Sequence, residues 1–355
     1  MALFSRRGSS DPTPTPAGDS PEIGAPVPAA QEPAAQEPAP AVNISVGTFR
    51  GLGSEAAPAP AAAPDAAAIA AAANAPRPLP LAPIAPPAQT QTVEGIIDNV
   101  LLRETLARLE AGATNEQFLG VLRQVLQGHL ILRVHGNAQE QLSAGKPLEI
   151  SILRDGENSY LMAFSSGAAL KAAESTATVP ETSAIAQAVP AVITQVVDGG
   201  FQGMVIDHAS APHRVVFPTE VLRKALADAD PTLLVKNLLA VPHADGVEPK
   251  LAEALERSSL WVAANEGPDG AAGIAEMRGA GGLRFLQLFT HPLEVIALGR
   301  GDRPVPFPPA NLARVLTEQP GIAGVLIDPA GPSAVIGRAA LAGVMALAEQ
   351  PATEV

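Results

Sequence analysis

Phe201-Gln-Gly-Met-Val-Ile-Asp207, followed by Arg214-Val-Val-Phe-Pro218, decides the fold of this chain because the same phrase occurs twice. It returns as Gly321-Ile-Ala-Gly-Val-Leu-Ile-Asp328, followed by Ala334-Val-Ile-Gly337, and a helix-like run comes after each copy. The copies lie about 120 residues apart, too far for a solenoid, whose units span about 20–50 residues. The repetition therefore predicts a duplicated domain.

The elements around the two phrases predict an α+β fold. Tyr160-Leu-Met-Ala-Phe-Ser-Ser166 precedes the first copy and Arg284-Phe-Leu-Gln-Leu-Phe-Thr-His291 precedes the second, at similar distances. Short apolar strands alternate with helical stretches in both, which indicates two tandem small domains with mixed, mostly antiparallel sheets flanked by helices. We assign residues 1–92 to a tail, 93–230 to a leading helix plus the first domain, and 245–349 to the second domain.

The tail has a composition unlike that of the other segments. Half of the 36 prolines precede Val93, and alanine makes up much of the remaining sequence there. Proline removes backbone donors and alanine offers little apolar area to offset the entropy of ordering, so we expect residues 1–92 to be disordered.

Composition also excludes several classes of function. The net charge is −13 and no dense Lys/Arg stripe interrupts it, so we expect neither nucleic-acid binding nor attraction to anionic lipid. The chain has no cysteine, which excludes disulfides and thiolate sites. Polar residues follow Arg6-Arg7 and no window reaches about 18 apolar residues, which predicts a cytoplasmic protein without membrane insertion.

Two local predictions concern helices. Val93 to Glu110 places apolar residues at three- and four-residue spacing, which predicts an amphipathic helix that either self-associates or docks on the first domain. Glu181 to Val197 is also predicted to be helical.

In the order of its elements, each copy resembles the N-terminal domain of the SseB (enhanced serine sensitivity) family. The features that match are a strand after a leading helix, a Phe-Ser/Thr phrase at a strand-to-helix junction, and a closing strand, turn, strand and helix at Gly203 to Leu222. The second copy departs from the pattern with Gly337-Arg338 in place of Pro218-Thr219. The resemblance implies a small α+β module, present here as two tandem copies, with no catalytic residue or cofactor to transfer.

The candidate binding residues lie at the two strand-to-helix junctions. They are Phe164, Ser165, Ser166, Phe289, Thr290 and His291. Ser and Thr at such positions are ordinary N-caps, because their hydroxyls accept bonds from unpaired helix N–H groups. The same N–H groups would suit an anion.

The sequence gives less support to a catalytic site or a metal site. Asp207, His208 and His213 flank a turn and would suit a metal, but only the aspartate recurs in the second copy. Ser165 with His208 would suit a hydrolase, but no Gly-x-Ser-x-Gly elbow is present. We therefore predict no catalytic residue, no metal and no cofactor.

These observations favour a non-enzymatic interaction or scaffolding protein with a protein partner and the possibility of self-association. The alternatives are a small-ligand or anion sensor, which would use the same helix starts, and a divergent Ser/His hydrolase. Conserved chemistry should appear in both copies, and no reactive group does so beyond the aspartate.

Overall fold

The computed structural model describes residues 78–174, 182–242, 246–266 and 272–349. Most of the predicted tail, residues 1–77, lies outside these ranges. Within them, helices and strands are mixed and the strands form four small sheets, which confirms the α+β class. We call residues 100–227 the first half and residues 234–349 the second half.

Eleven α-helices fall within the described ranges. They are α1 Val100–Leu106, α2 Asn115–Val125, α3 Ala138–Ser143, α4 Gly167–Glu174, α5 Val189–Asp198, α6 Thr219–Ala227, α7 Leu234–Ala240, α8 Val247–Leu255, α9 Pro292–Ala297, α10 Pro309–Glu318 and α11 Ala342–Ala346. Short 3-10 turns flank α11 at Arg338–Leu341 and Leu347–Glu349.

The strands of the first half are β1 His129–His135, β2 Ile152–Asp155, β3 Asn158–Ala163, β4 Thr182–Ala188, β5 Gly203–Ile206 and β6 Val215–Pro218. Those of the second half are β7 Leu260–Glu266, β8 Ala272–Ile274, β9 Glu276–Arg278, β10 Arg284–Leu288, β11 Arg303–Phe307, β12 Ile322–Ile327 and β13 Ala334–Gly337.

The main sheets of the two halves have the same topology. The main sheet has the order β2-β3-β5-β6 in the first half and β9-β10-β12-β13 in the second. In each, the two central strands are parallel and the outer strands pair antiparallel. A second antiparallel sheet pairs β1 with β4 in the first half and β7 with both β11 and β8 in the second. Bridges at Phe164 and Phe289 connect these sheets to the ends of central strands β3 and β10.

A glycine at an equivalent place in each central strand allows the neighbouring strand to approach closely. A Cβ atom on Gly203 would come within 2.3 Å of the Phe217 carbonyl oxygen, and one on Gly324 within 2.1 Å of the Ile336 carbonyl oxygen. Atoms cannot approach so closely, so both positions exclude every larger residue unless the strands separate.

The segment predicted as one helix from Glu181 to Val197 is partly a strand. Its described part begins with β4, which pairs with β1 over seven residues from His129↔Ala188 to His135↔Thr182, and only Val189–Asp198 is helical. Pro190 in the first turn of α5 marks the change, since proline is tolerated there. The prediction was wrong for β4 because pairing across the chain outweighed local propensity.

The leading helix is shorter than Val93–Glu110. Asn99 caps α1 by accepting a bond from the Leu102 N–H, and the helix ends at Leu106. Leu102 and Leu106 are buried in the core of the first half, so this helix docks on that half.

Residues 78–92 form an extended strap over the folded part, which corrects their assignment to the tail. Leu79 is buried in the main core, the Ala82 N–H donates to the Ala330 carbonyl at 3.0 Å, and the Ser333 N–H donates to the Ile84 carbonyl at 2.9 Å. The strap therefore packs on both halves. Apolar burial of Leu79 and these backbone bonds offset its ordering entropy.

Candidate functional site

The six residues predicted as a binding site lie in the interior. Their exposed fractions range from 0 % for Phe164, Ser165 and Phe289 to 4 % for Thr290. Phe164 and Phe289 belong to small apolar clusters beneath α4 and α9. All six side chains are therefore almost wholly withdrawn from the surface.

In each half, a buried aspartate holds the hydroxyl residue of the junction. The Ser165 hydroxyl donates to Asp207 Oδ2 at 2.5 Å and the Ser165 N–H donates to Asp207 Oδ1 at 2.8 Å. Thr290 makes the same two bonds, at 2.5 and 2.8 Å, to Asp328. This pairing connects the ends of the two parallel central strands.

Both aspartates have a left-handed backbone, with φ of 53° at Asp207 and 45° at Asp328. Aspartate tolerates this region better than most residues. Burial raises the pKa of Asp207 to about 6, although the bonds from Ser165 oppose the shift. Burial also raises the pKa of Asp328 to about 6, with the Glu294 charge assisting and Lys236 opposing.

Ser166 is the cap in the first half, as the sequence indicated, whereas in the second half the cap is His291, one residue beyond Thr290. The Ala169 N–H donates to Ser166 Oγ at 3.2 Å, and the Leu293 N–H donates to His291 Nδ1 at 3.1 Å. His291 Nε2 donates to the Ala225 carbonyl at 3.0 Å, which fixes its tautomer. Burial lowers the pKa of His291 to about 4, so the ring is neutral at pH 7.

A buried charge cluster joins the two halves and was missed from the sequence. Arg123 on α2 donates to Glu294 on α9 at 2.7 Å, and Lys236 on α7 bonds the other oxygen of Glu294. The Lys236 ammonium also lies 3.6 Å from Asp328 Oδ2. Burial acts to raise the pKa of Glu294, but the charges of Arg123 and Lys236 outweigh it and hold that pKa below its usual range.

Backbone carbonyls accept further hydrogen bonds from Arg123, although its buried Nε has no partner among the described residues. Its guanidinium donates to the Pro80 carbonyl of the strap at 2.7 Å and to the Gly331 carbonyl at 3.1 Å. Such additional bonds help to offset the cost of removing a buried ion pair from water. The cluster thus ties together α2, the strap and the second half.

An apolar cavity of about 590 Å³ lies beside this cluster, between the two halves. Its wall consists mainly of carbon, and three charged side chains stand among its lining residues. The lining comprises Leu119, Leu122, Glu220, Val221, Lys224, Ala225, Asp228, Trp261, His291, Pro292, Leu293, Ile296 and Pro304. Trp261 Nε1 donates to the Asp228 carbonyl at 2.9 Å, which presents the indole ring at the boundary. Of the six predicted residues, only His291 lines this cavity.

The described residues show no arrangement that suits a Ser/His hydrolase or a metal site. The Ser165 hydroxyl is bonded to Asp207, and His208 Nδ1 is buried without a hydrogen-bond partner. His213 Nδ1 lies 3.1 Å from the Leu109 carbonyl oxygen. Within the described ranges, no group of three His, Asp or Glu residues is arranged to hold a metal ion. No described helix is both long and apolar enough to cross a bilayer.

Comparisons with known proteins give one match. The searches of curated proteins and of solved structures each returned none. The family model described as "SseB protein N-terminal domain" matches residues 102–224, a range that begins in α1 and ends in α6. The first half of this chain is therefore similar to the SseB N-terminal domain.

Proposed function

We propose that this chain is a non-enzymatic, cytoplasmic interaction protein built from two SseB-like domains, and that it binds a protein partner in the apolar cavity between them. The second domain of the proposal is the second half. Three similarities between the halves support the assignment of a second domain. They are the shared topology of the main sheets, the repeated hydrogen bonds between an aspartate and a hydroxyl, and the equivalent glycines Gly203 and Gly324.

The cavity is the observation that carries the proposed function. Apolar clefts with a few polar groups at their edge are typical binding sites, and partner proteins commonly anchor in them through a large apolar side chain. Glu220, Lys224 and Asp228 supply the polar groups here. The expected partner thus presents an apolar anchor with polar residues around it.

The burial of the junction residues supports a non-enzymatic role. The hydroxyl groups of Ser165 and Thr290 each donate a hydrogen bond to an aspartate, and both residues are almost fully buried. A nucleophile needs a general base within hydrogen-bond reach and access to substrate. Neither hydroxyl has both.

The experiment compares capture of a partner by the full chain and by two variants. Ile296 lines the cavity and is 41 % exposed, so Ile296→Glu places a charge there at little cost to folding. Leu142 on α3 is 59 % exposed and lies outside the cavity, so Leu142→Glu is the matched control. Quantitative mass spectrometry of native pull-downs should show a partner retained by wild type and Leu142→Glu but lost with Ile296→Glu. Equal recovery by all three would contradict the proposal.

A small apolar ligand is the second candidate, because the cavity volume of about 590 Å³ lies within the range of ligand sites. Displacement of an apolar fluorescent dye by a metabolite extract would test it. An anion at the helix starts is less well supported. The Gly167 and Ala168 N–H groups already donate to Asp98 and Thr92, and the Leu293 N–H donates to His291.

A further inference from the structure

The two strand-to-helix junctions differ in the charged side chains that lie next to them. In the second half, the Arg123 guanidinium enters from α2 and bonds Glu294 and the Gly331 carbonyl. The Lys236 ammonium approaches Asp328 Oδ2 to 3.6 Å and the Thr290 hydroxyl to 3.4 Å. Basic side chains thus occupy this face of the second half.

The equivalent face of the first half contains a separate cavity of about 270 Å³. Ala169 follows Ser165 at the same spacing as Glu294 follows Thr290, and Ser210 follows Asp207 at the same spacing as Gly331 follows Asp328. Ala169, Asp207 and Ser210 all line the cavity. The cavity therefore lies where the second half receives Arg123.

Asp207 has capacity for a further donor. A carboxylate accepts about four hydrogen bonds, and those to Asp207 come from the N–H and hydroxyl of Ser165. Among the described residues, no lysine, arginine or histidine forms an ion pair with Asp207, whereas Asp328 has Lys236. Asp207 is buried, and it is one of the residues that line the cavity.

The charges around the cavity favour a cation over an anion. Arg103 lines it, but its guanidinium is bonded to Asp98 Oδ2 and Thr90 Oγ1, each at 2.9 Å. Asp98 also accepts the Gly167 N–H at the start of α4. Asp207 is therefore the one carboxylate among the lining residues, and the charge of Arg103 is already paired with Asp98.

We propose that this cavity binds the basic side chain of a partner protein, an arginine guanidinium by the example of Arg123. The guanidinium would donate to Asp207, because Ala169 stands here at the position of Glu294, and to the oxygens of the loop at Ser210, as Arg123 donates to the Gly331 carbonyl. The site is distinct from the apolar cavity between the halves, so it does not rest on the proposed function.

The test uses two small probes with the full chain. N-acetyl-L-arginine methylamide carries the guanidinium, and N-acetyl-L-citrulline methylamide is its neutral isostere. Backbone amide NMR shifts at Ser166, Asp207 and Ser210 should change saturably with the arginine probe and not with the citrulline probe. Equal shifts with both probes, or none with the arginine probe, would overturn the proposal.

Two variants and one control locate the site. Asp207→Asn removes the negative charge, and Ser210→Lys places an internal ammonium beside Asp207, as Lys236 lies beside Asp328. Each should weaken arginine-probe binding by at least about tenfold. Ser210→Lys decides the question if Asp207→Asn does not fold. Ile296→Glu should bind the probe as wild type does. Retention by Ser210→Lys would place the binding elsewhere and overturn the assignment.

Discussion

Arg123 in the first half donates a hydrogen bond of 2.7 Å to Glu294 in the second half, and the two side chains are 1 % and 0 % exposed. The residues are 171 positions apart in the chain. Since Lys236 bonds the same carboxylate, Glu294 is the shared anion of two buried cations. Glu294 thus joins Arg123 of the first half and Lys236 of the second in one buried cluster.

Replacing Glu294 with glutamine should lower the free energy of unfolding by about 3–5 kcal/mol, because it leaves Arg123 without a buried counter-charge. Chemical denaturation measures the loss. The control is Glu253→Gln, which removes an exposed ion pair with Arg257 and should cost under about 1 kcal/mol. Equal effects of the two variants would show that Glu294 has no special role.

The strap gives a second prediction, from two leucines in one segment. Leu79 is 3 % exposed and Leu81 is 56 % exposed. Leu79→Ala should destabilise the protein by about 2–4 kcal/mol, because it removes buried methyl groups and leaves a cavity. Leu81→Ala should change stability by no more than about 0.5 kcal/mol. If thermal unfolding showed no difference between them, the strap would not be packed as described.

The pH dependence of stability should reveal Asp207. Its pKa is raised to about 6 in the folded state, above the ordinary value of 3.8, so the folded protein binds the proton more tightly. The stability that this group contributes is therefore complete below pH 3.8 and is lost as the pH rises through 6. Relative to Asp207→Asn, wild type should gain up to about 1.4 kcal/mol per pH unit on acidification across this window. A constant difference between pH 4 and 7 would exclude the raised pKa.

His291 should act in the opposite direction. Its pKa falls from 6.5 to about 4 on folding, so its contribution is complete above pH 6.5 and is lost as the pH falls towards 4. His291→Asn preserves a cap acceptor but does not titrate. Denaturation between pH 7 and 4.5 should therefore show wild type losing stability relative to this variant. A parallel pair of curves would mean that His291 is not buried as a neutral ring.

Much of the fold was predictable because short turns between strands have characteristic residues that can be recognised in the sequence. The turn Asp155-Gly-Glu-Asn158 contains a glycine, which is typical of a tight hairpin turn, and Asp155 pairs with Asn158 in the structure. The strand β11 was not predicted because Pro304 and Pro306 interrupt its pattern. It pairs only with β7, at the edge of its sheet, where the missing N–H groups of proline are tolerated.

The candidate site was less predictable from the sequence. The recurrence of Asp207 and Asp328 was visible, but their bonds to Ser165 and Thr290 follow from strand order in three dimensions. The cluster of Arg123 and Lys236 was not predicted, since their partner Glu294 lies far along the chain. The family resemblance of the first half was confirmed over residues 102–224.

The strap determines where a useful recombinant fragment can begin. A clone starting at residue 93, the boundary that composition suggests, would expose the apolar surface beneath Leu79 and remove the Pro80 carbonyl from Arg123. Such a product would be prone to aggregate for reasons unrelated to its biology. Expression from residue 78 or earlier keeps the strap and its contacts with both halves. If a fragment that starts later fails to fold, the failure says nothing about the stability of either half.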